Sequence, residues 1–301
     1  MAFKFDGTGV ALVTPFLDNG TIDYTALERL VEHCITGGVD FLVALGTTGE
    51  TPTLSTQEQG AVLEHVVRFT AGRVPLVAGY GGNNTAALVE QLKSHSFEGI
   101  DGILSASPSY NKPTQEGIYQ HFMALAEVAP RPIILYNVPG RTASNMTAET
   151  TLRLAKASDQ FVAVKEASGN LAQVMQIING DRPADFAVLS GDDNLTLPMI
   201  ACGAHGLISV VANAYPKGYS DLVRAARAGD LDTARSLHYR YMDLVDALFA
   251  EGNPAGVKYV LSQLGIGQDT LRLPLVGTSD ALQTRLNALM STADTAATAH
   301  S

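Results

Sequence analysis

Eight times along this chain a short apolar run is followed by a stretch with helical spacing. The runs are Gly9 to Val13, Phe41 to Leu45, Val74 to Ala78, Gly102 to Ser105, Pro132 to Tyr136, Phe161 to Lys165, Phe186 to Leu189 and Gly206 to Val210. Short runs rich in β-branched residues suit strands buried on both faces, as in a parallel sheet. Between them lie helical patterns with recognisable starts: Asp23 before Tyr24 to Thr36, and Ser55 with Glu58 three residues on as a capping box. Further helices are predicted over Thr85 to Ser96, Gln115 to Val128, Thr147 to Ala157, Leu171 to Asn179 and Leu195 to Cys202. Strand–helix alternation repeated eight times predicts an α/β fold, a (β/α)8 TIM barrel. A doubly wound open sheet is the competing architecture. It usually carries a glycine-rich phosphate turn after strand one, but strand one here runs into Thr14-Pro15.

Beyond the eighth strand the pattern stays helical: Tyr215 to Ala228, Leu231 to Phe249, Pro254 to Leu264 and Asp280 to Met290. A barrel needs one closing helix, so the rest predicts a helical appendage. The expected organisation is a barrel domain over residues 1–229, a C-terminal helical region over 230–290, and a disordered tail over 291–301, where large apolar side chains are missing. The formal net charge is −10 and basic runs are absent, which argues against nucleic acid or anionic membrane as partners. No apolar run reaches the roughly 18 residues of a membrane span, and the first residues lack the apolar stretch of a signal peptide. Cys34 and Cys202 sit in apolar helical contexts and do not suggest a disulfide. The expectation is a cytoplasmic protein.

Barrels place their chemistry at the C-terminal ends of strands. Those ends carry Thr47 and Thr48 in a Gly-Thr-Thr-Gly-Glu turn, then Tyr110, Tyr136 with Arg141, Lys165, Gly191 and Ile208. Taken singly, each is an ordinary turn, a packing tyrosine or a solvated charge; their joint placement points to a site. Burial at a strand end disfavours the charged form of a lysine, and a neutral amine can attack a carbonyl to form a Schiff base. The bland alternative is a Lys165 that reaches water or pairs with Glu166. Tyr136 and Tyr110 can pass protons, with the Thr47 hydroxyl between them. Successive amides at Thr47-Thr48 can hold a carboxylate, and Arg141 can grip a second one through two parallel hydrogen bonds. The seven histidines are scattered without paired spacing, so no metal is expected. Asp192-Asp193 puts the wrong charge after strand seven for a phosphate site.

The segments GTTGE, SYNKP, YNVPGRT, VKEASGN, LSGDD and GLISV, in that order, closely resemble the dihydrodipicolinate synthase family of class I pyruvate-dependent aldolases. The resemblance runs from Phe3 to Met290. It implies Lys165 as the Schiff-base residue, Tyr136 as proton donor and acceptor, and Thr47 with Tyr110 completing the relay. It implies pyruvate held by Thr48 and the Ile208 main chain, aspartate semialdehyde on Arg141, and no cofactor. It also implies a homo-oligomer, a homodimer or a dimer of dimers, because the residue matching Tyr110 reaches into a neighbouring subunit. A sialic-acid lyase or sugar-acid aldolase of the same class is the alternative, and Arg141 disfavours it. Family members inhibited by lysine place a histidine, a glutamate and a tyrosine where this chain has Thr56, Ala87 and Ser109, so weak or absent lysine feedback is implied. The usual Asn-Pro-x-Pro-Val-Lys segment becomes Asn253-Pro254-Ala255-Gly256-Val257-Lys258 here.

Overall fold

A computed structural model describes residues 4–298. The elements are β1 (Gly7–Ala11), α1 (Tyr24–Thr36), β2 (Phe41–Ala44), α2 (Thr56–Thr70), β3 (Leu76–Gly79), α3 (Thr85–Ser94), β4 (Gly102–Ala106), α4 (Gln115–Ala126), β5 (Ile133–Asn137), the short α5 (Pro139–Thr142), α6 (Ala148–Ala157), β6 (Phe161–Glu166), α7 (Leu171–Asn179), β7 (Ala187–Ser190), α8 (Thr196–Ala201), β8 (Gly206–Ser209), α9 (Pro216–Arg227), α10 (Leu231–Phe249), α11 (Ala255–Gln263) and α12 (Asp280–Thr298). The strands pair in sequence order, all parallel, and β1 pairs with both β2 and β8, so the sheet closes into the expected (β/α)8 barrel.

Alternation along each strand sends one set of side chains into the barrel and the next toward the helices. Phe41, Val43, Val77, Ile134, Ala163 and Ile208 belong to the cluster that fills the interior. Val10, Leu42, Leu76, Ile103, Leu135 and Val164 belong to the larger cluster under the helices. Helix starts follow the sequence signals: Asp23 accepts from the Ala26 amide at 2.9 Å, and Ser55 and Glu58 form the reciprocal box at 3.2 and 2.8 Å. Gly229, at φ 80, leads into Asp230, which caps α10 by accepting from Thr233 N at 3.1 Å. We propose this junction as the limit of the barrel domain.

Three expectations need correction. Strand one lies two residues earlier than expected, because the Val13 amide donates to the Asn213 side chain at 3.1 Å and leaves the ladder. Strand three starts at Leu76 rather than Val74, since the intervening Pro75 has no amide to offer. The segment from Ser291, expected to be disordered, continues α12 to Thr298, with Ala293 buried. Its alanines are the strongest helix formers, and it extends an existing helix without a new nucleation step. Residues 299–301 of that tail, like residues 1–3, lie outside the described residues.

Candidate active site

The alternation that packs β6 also aims its lysine. Ala163 faces the barrel interior and Val164 the helices, so Lys165 points inward and Glu166 outward. The register sets Lys165 beside Tyr136 on β5 and beside Leu189 on β7. Lys165 is only 5% exposed, and its Nζ lies 4.4 Å from the centre of the Tyr136 ring. Among the described residues its amine makes no ion pair and no hydrogen bond. Pairing with Glu166 is thereby excluded. That carboxylate is held behind the strand by the Asn137 amide at 3.0 and 3.2 Å, the Gln173 amide at 3.0 Å and the Ser168 N–H at 2.8 Å. This network joins the ends of β5 and β6, the strands that carry Tyr136 and Lys165.

Gly191, just past β7, leaves room for the lysine. A Cβ there would lie 3.1 Å from Lys165 Cε and Cγ and 2.7 Å from Ala167 Cβ. Gly191→Ala should therefore cost about 1–3 kcal/mol through overpacking. It should also slow capture of a carbonyl substrate by Lys165; thermal unfolding and borohydride trapping measure the two effects separately. Ile208 is buried on β8. The strand end beyond it is anchored by Asp193, which accepts from Ser209 Oγ at 2.5 Å and Val210 N at 3.0 Å. Burial pushes the Asp193 carboxyl up to about 6. This aspartate holds the barrel rim, which explains an acid where a phosphate site would need amides or a cation.

After β2 the chain makes a 3₁₀ turn at Thr47–Gly49. It is bracketed by two non-glycine residues in the left-handed region, Leu45 at φ 56 and Glu50 at φ 53. Such conformations cost about 1–3 kcal/mol each and persist only when surrounding structure enforces them. Thr47 is exposed at the mouth, while Thr48 is buried and accepts a 2.9 Å hydrogen bond from Asn253 Nδ2. A cavity of about 390 Å³ is lined by Thr47 and Tyr136, together with Leu45, Gly46, Tyr80 and Leu104.

Lys165, Tyr136, Gly191 and Ile208 thus converge in one barrel interior, with Thr47-Thr48 at its mouth. Tyr110 and Arg141 do not join them within the chain. Tyr110 is 87% exposed, at φ 72, in the loop after β4, and its amide donates to Thr142 O at 3.3 Å. Arg141, on α5, is exposed and has no ion-pair or side-chain hydrogen-bond partner among the described residues. Sequence reasoning gave no role to Glu50, Asn137, Glu166, Asn253 or Lys258. A signal for Lys258 was present: a cation inside the apolar run Val257 to Leu261 requires a buried anion. Asn253 Oδ1 is buried without a hydrogen-bond partner among the described residues, beside the Thr47–Gly49 turn that its Nδ2 bonds, an acceptor suited to a donor on a bound molecule.

No group of three or more His, Cys, Asp or Glu side chains among the described residues is arranged to hold a metal ion, and none of their helices is long and apolar enough to cross a membrane. Cys34 and Cys202 are both free thiols. Residues 4–293 match the model of the dihydrodipicolinate synthetase family. The 4-hydroxy-tetrahydrodipicolinate synthase of Parabacteroides distasonis is 53% identical over 90% of this chain and 91% of its own. That of Flavobacterium psychrophilum is 52% identical over 94% and 96%. The crystal structure of dihydrodipicolinate synthase from Aquifex aeolicus, 41% identical, superposes with a TM-score of 0.92 over 96% of this chain and 98% of that one.

Proposed function

The chain belongs to the dihydrodipicolinate synthetase family, and from that membership we propose a division of labour among its strand-end residues. The protein is a lyase of the class I aldolase type. It condenses pyruvate with L-aspartate 4-semialdehyde to 4-hydroxy-tetrahydrodipicolinate, in lysine and diaminopimelate biosynthesis. The observation that carries the residue assignment is Lys165: a buried amine inside the barrel, without an ion-pair partner, against the Tyr136 ring at 4.4 Å.

The Lys165 amine adds to the ketone carbon of pyruvate, and loss of water leaves a cationic imine. The pyruvate carboxylate rests on Thr48 and the turn amides, opposite the Ile208 main chain. The imine acidifies the methyl group. Tyr136 takes its proton and passes it through Thr47, leaving an enamine. The enamine carbon attacks the aldehyde of the second substrate, whose carboxylate lies on the Arg141 guanidinium. The aldehyde oxygen takes up a proton through the same relay. The amine of that substrate then adds to the imine carbon, expels Lys165 and closes the ring. Lysine itself is the electron sink, so the cycle needs no cofactor.

A phenol as exposed as Tyr110 cannot complete a relay inside its own barrel, and Leu273 (79% exposed) and Val276 (67%) add further uncovered apolar surface. The active form is a homo-oligomer, a dimer of dimers, in which the partner's Tyr110 covers the site mouth; its setting is the cytoplasm. Sedimentation at assay concentration should find no active monomer, and a fully active monomer would refute the shared relay. Turnover of purified protein with pyruvate and aspartate semialdehyde, but not with pyruvate and N-acetylmannosamine, tests the substrate assignment. Millimolar L-lysine should barely change that turnover. Thr56 and Ala87 are exposed and offer no anion for an α-ammonium, and Asn83 Nδ2 is already bonded to Ser109 O at 3.2 Å. Saturable inhibition would overturn this reading.

A further inference from the structure

The turn that carries Thr47 and Thr48 is not held by the barrel alone. From the barrel, the hydroxyls of Thr14, Thr51 and Thr53 bond Gly49 O, Gly46 O and Glu50 O at 2.8, 3.0 and 2.9 Å. Three others come from the C-terminal helical region. Asn253 bonds the Thr48 hydroxyl at 2.9 Å. Lys258 Nζ donates to Glu50 Oε1, and Arg272 N donates to Glu50 Oε2 at 3.1 Å. Lys258 and Glu50 are both fully buried. The lysine amine is fixed on its other sides by Thr270 O at 2.9 Å and by the face of Phe16, 4.1 Å from its ring centre. The Arg272 guanidinium then fastens the Thr270–Arg272 segment to the barrel through Gly20 O, Thr53 O and Glu58, at 2.5–3.0 Å.

Two facts make this more than a stabilising contact. A buried ion pair contributes little net stability over apolar residues of similar volume, so stability alone does not account for it. The turn is also strained at both ends, at Leu45 and Glu50, and strain of this kind needs outside restraint. Glu50 is at once the strained residue and the one gripped from both carboxylate oxygens. We infer that Lys258 and Glu50 are positioning residues for pyruvate: their pair, closed by Arg272 and Asn253, holds the Thr47-Thr48 turn in its substrate-binding shape, which makes the C-terminal helical region part of the active site. The charges facing the pair are those of Arg272, Asp269 and, through Arg272, Glu58. Burial pushes the Lys258 amine down to about 8, with Glu50 opposing that shift.

The inference rests on the functional reading above, and the test separates the two. In the full-length oligomer, Glu50→Gln/Lys258→Met removes both charges at similar volume and leaves neither unpaired. It should raise the KM for pyruvate by roughly tenfold or more, a loss of about 1.4 kcal/mol in binding, while the KM for the semialdehyde stays within twofold. Arg272→Met, at the half-exposed rim, should move the pyruvate KM in the same direction, at least threefold, and decides alone if the double variant does not fold. Folded variants with unchanged pyruvate KM, or an equal loss for both substrates, overturn the clamp. A wild-type protein that traps no pyruvate on Lys165 overturns the functional reading instead.

Discussion

Lys165→Ala should abolish turnover and the borohydride-trapped pyruvate adduct together. A covalent nucleophile has no substitute in the barrel, and deletion of such a group costs on the order of 10⁴-fold or more. Two other lysines, Lys258 and Lys112, are not placed to take over. Lys258 is buried with its amine bonded to Glu50 and Thr270, and Lys112 is exposed in the loop after β4. Mass spectrometry after reduction in the presence of pyruvate should place one adduct on Lys165 in the wild type and none in the variant; an adduct on Lys112 or Lys258 would overturn the assignment. A companion, Lys165→Met, keeps the volume and removes the amine. Burying a polar group without a partner costs folding energy, and Lys165 Nζ has neither ion pair nor hydrogen bond among the described residues. Lys165→Met should therefore be inactive yet at least as stable as the wild type by thermal unfolding. A marked drop in stability would show that the amine stabilises the fold, through the Tyr136 ring 4.4 Å away.

Arg141→Ala should separate the two substrates. Among the described residues its guanidinium makes no ion pair, and it lies on α5 directly after the strand that carries Tyr136. Losing a charge-assisted bidentate pair costs on the order of 2–5 kcal/mol when the pair is desolvated. Arg141 is exposed in the isolated chain, so the low end applies, about 2 kcal/mol or roughly 30-fold in kcat/KM for the semialdehyde. Pyruvate should still be trapped on Lys165 at the wild-type rate, because the proposed assignment puts its carboxylate on Thr48 and the turn amides, not on Arg141. Arg141→Lys restores the charge without the planar fork and should recover only part of the loss. An equal defect for both substrates would remove Arg141 from its role as the selector.

Much of this site was legible in the chain because the rules that build it are local. Alternation along a parallel strand is a two-residue rule, so the parity that buries Ala163 also turns Lys165 inward and Glu166 outward. Strand ends follow from where apolar runs stop, and the barrel puts all eight ends on one rim. What tertiary structure alone decided lies in contacts between residues far apart in sequence. Glu50 and Lys258 are 208 residues apart, Thr48 and Asn253 205, and Val13 and Asn213 200. None of these pairs leaves a periodic trace. A buried lysine in a helix implies some anion without saying which carboxylate the folded chain brings to it. The same holds for Tyr110 and Arg141, whose side chains stay exposed in the single chain. The eight-strand pattern determined which residues reach the rim. The barrel's closure and the return of the C-terminal helices decided which of them meet, because polar pairing is chosen by proximity after folding and not by spacing along the chain.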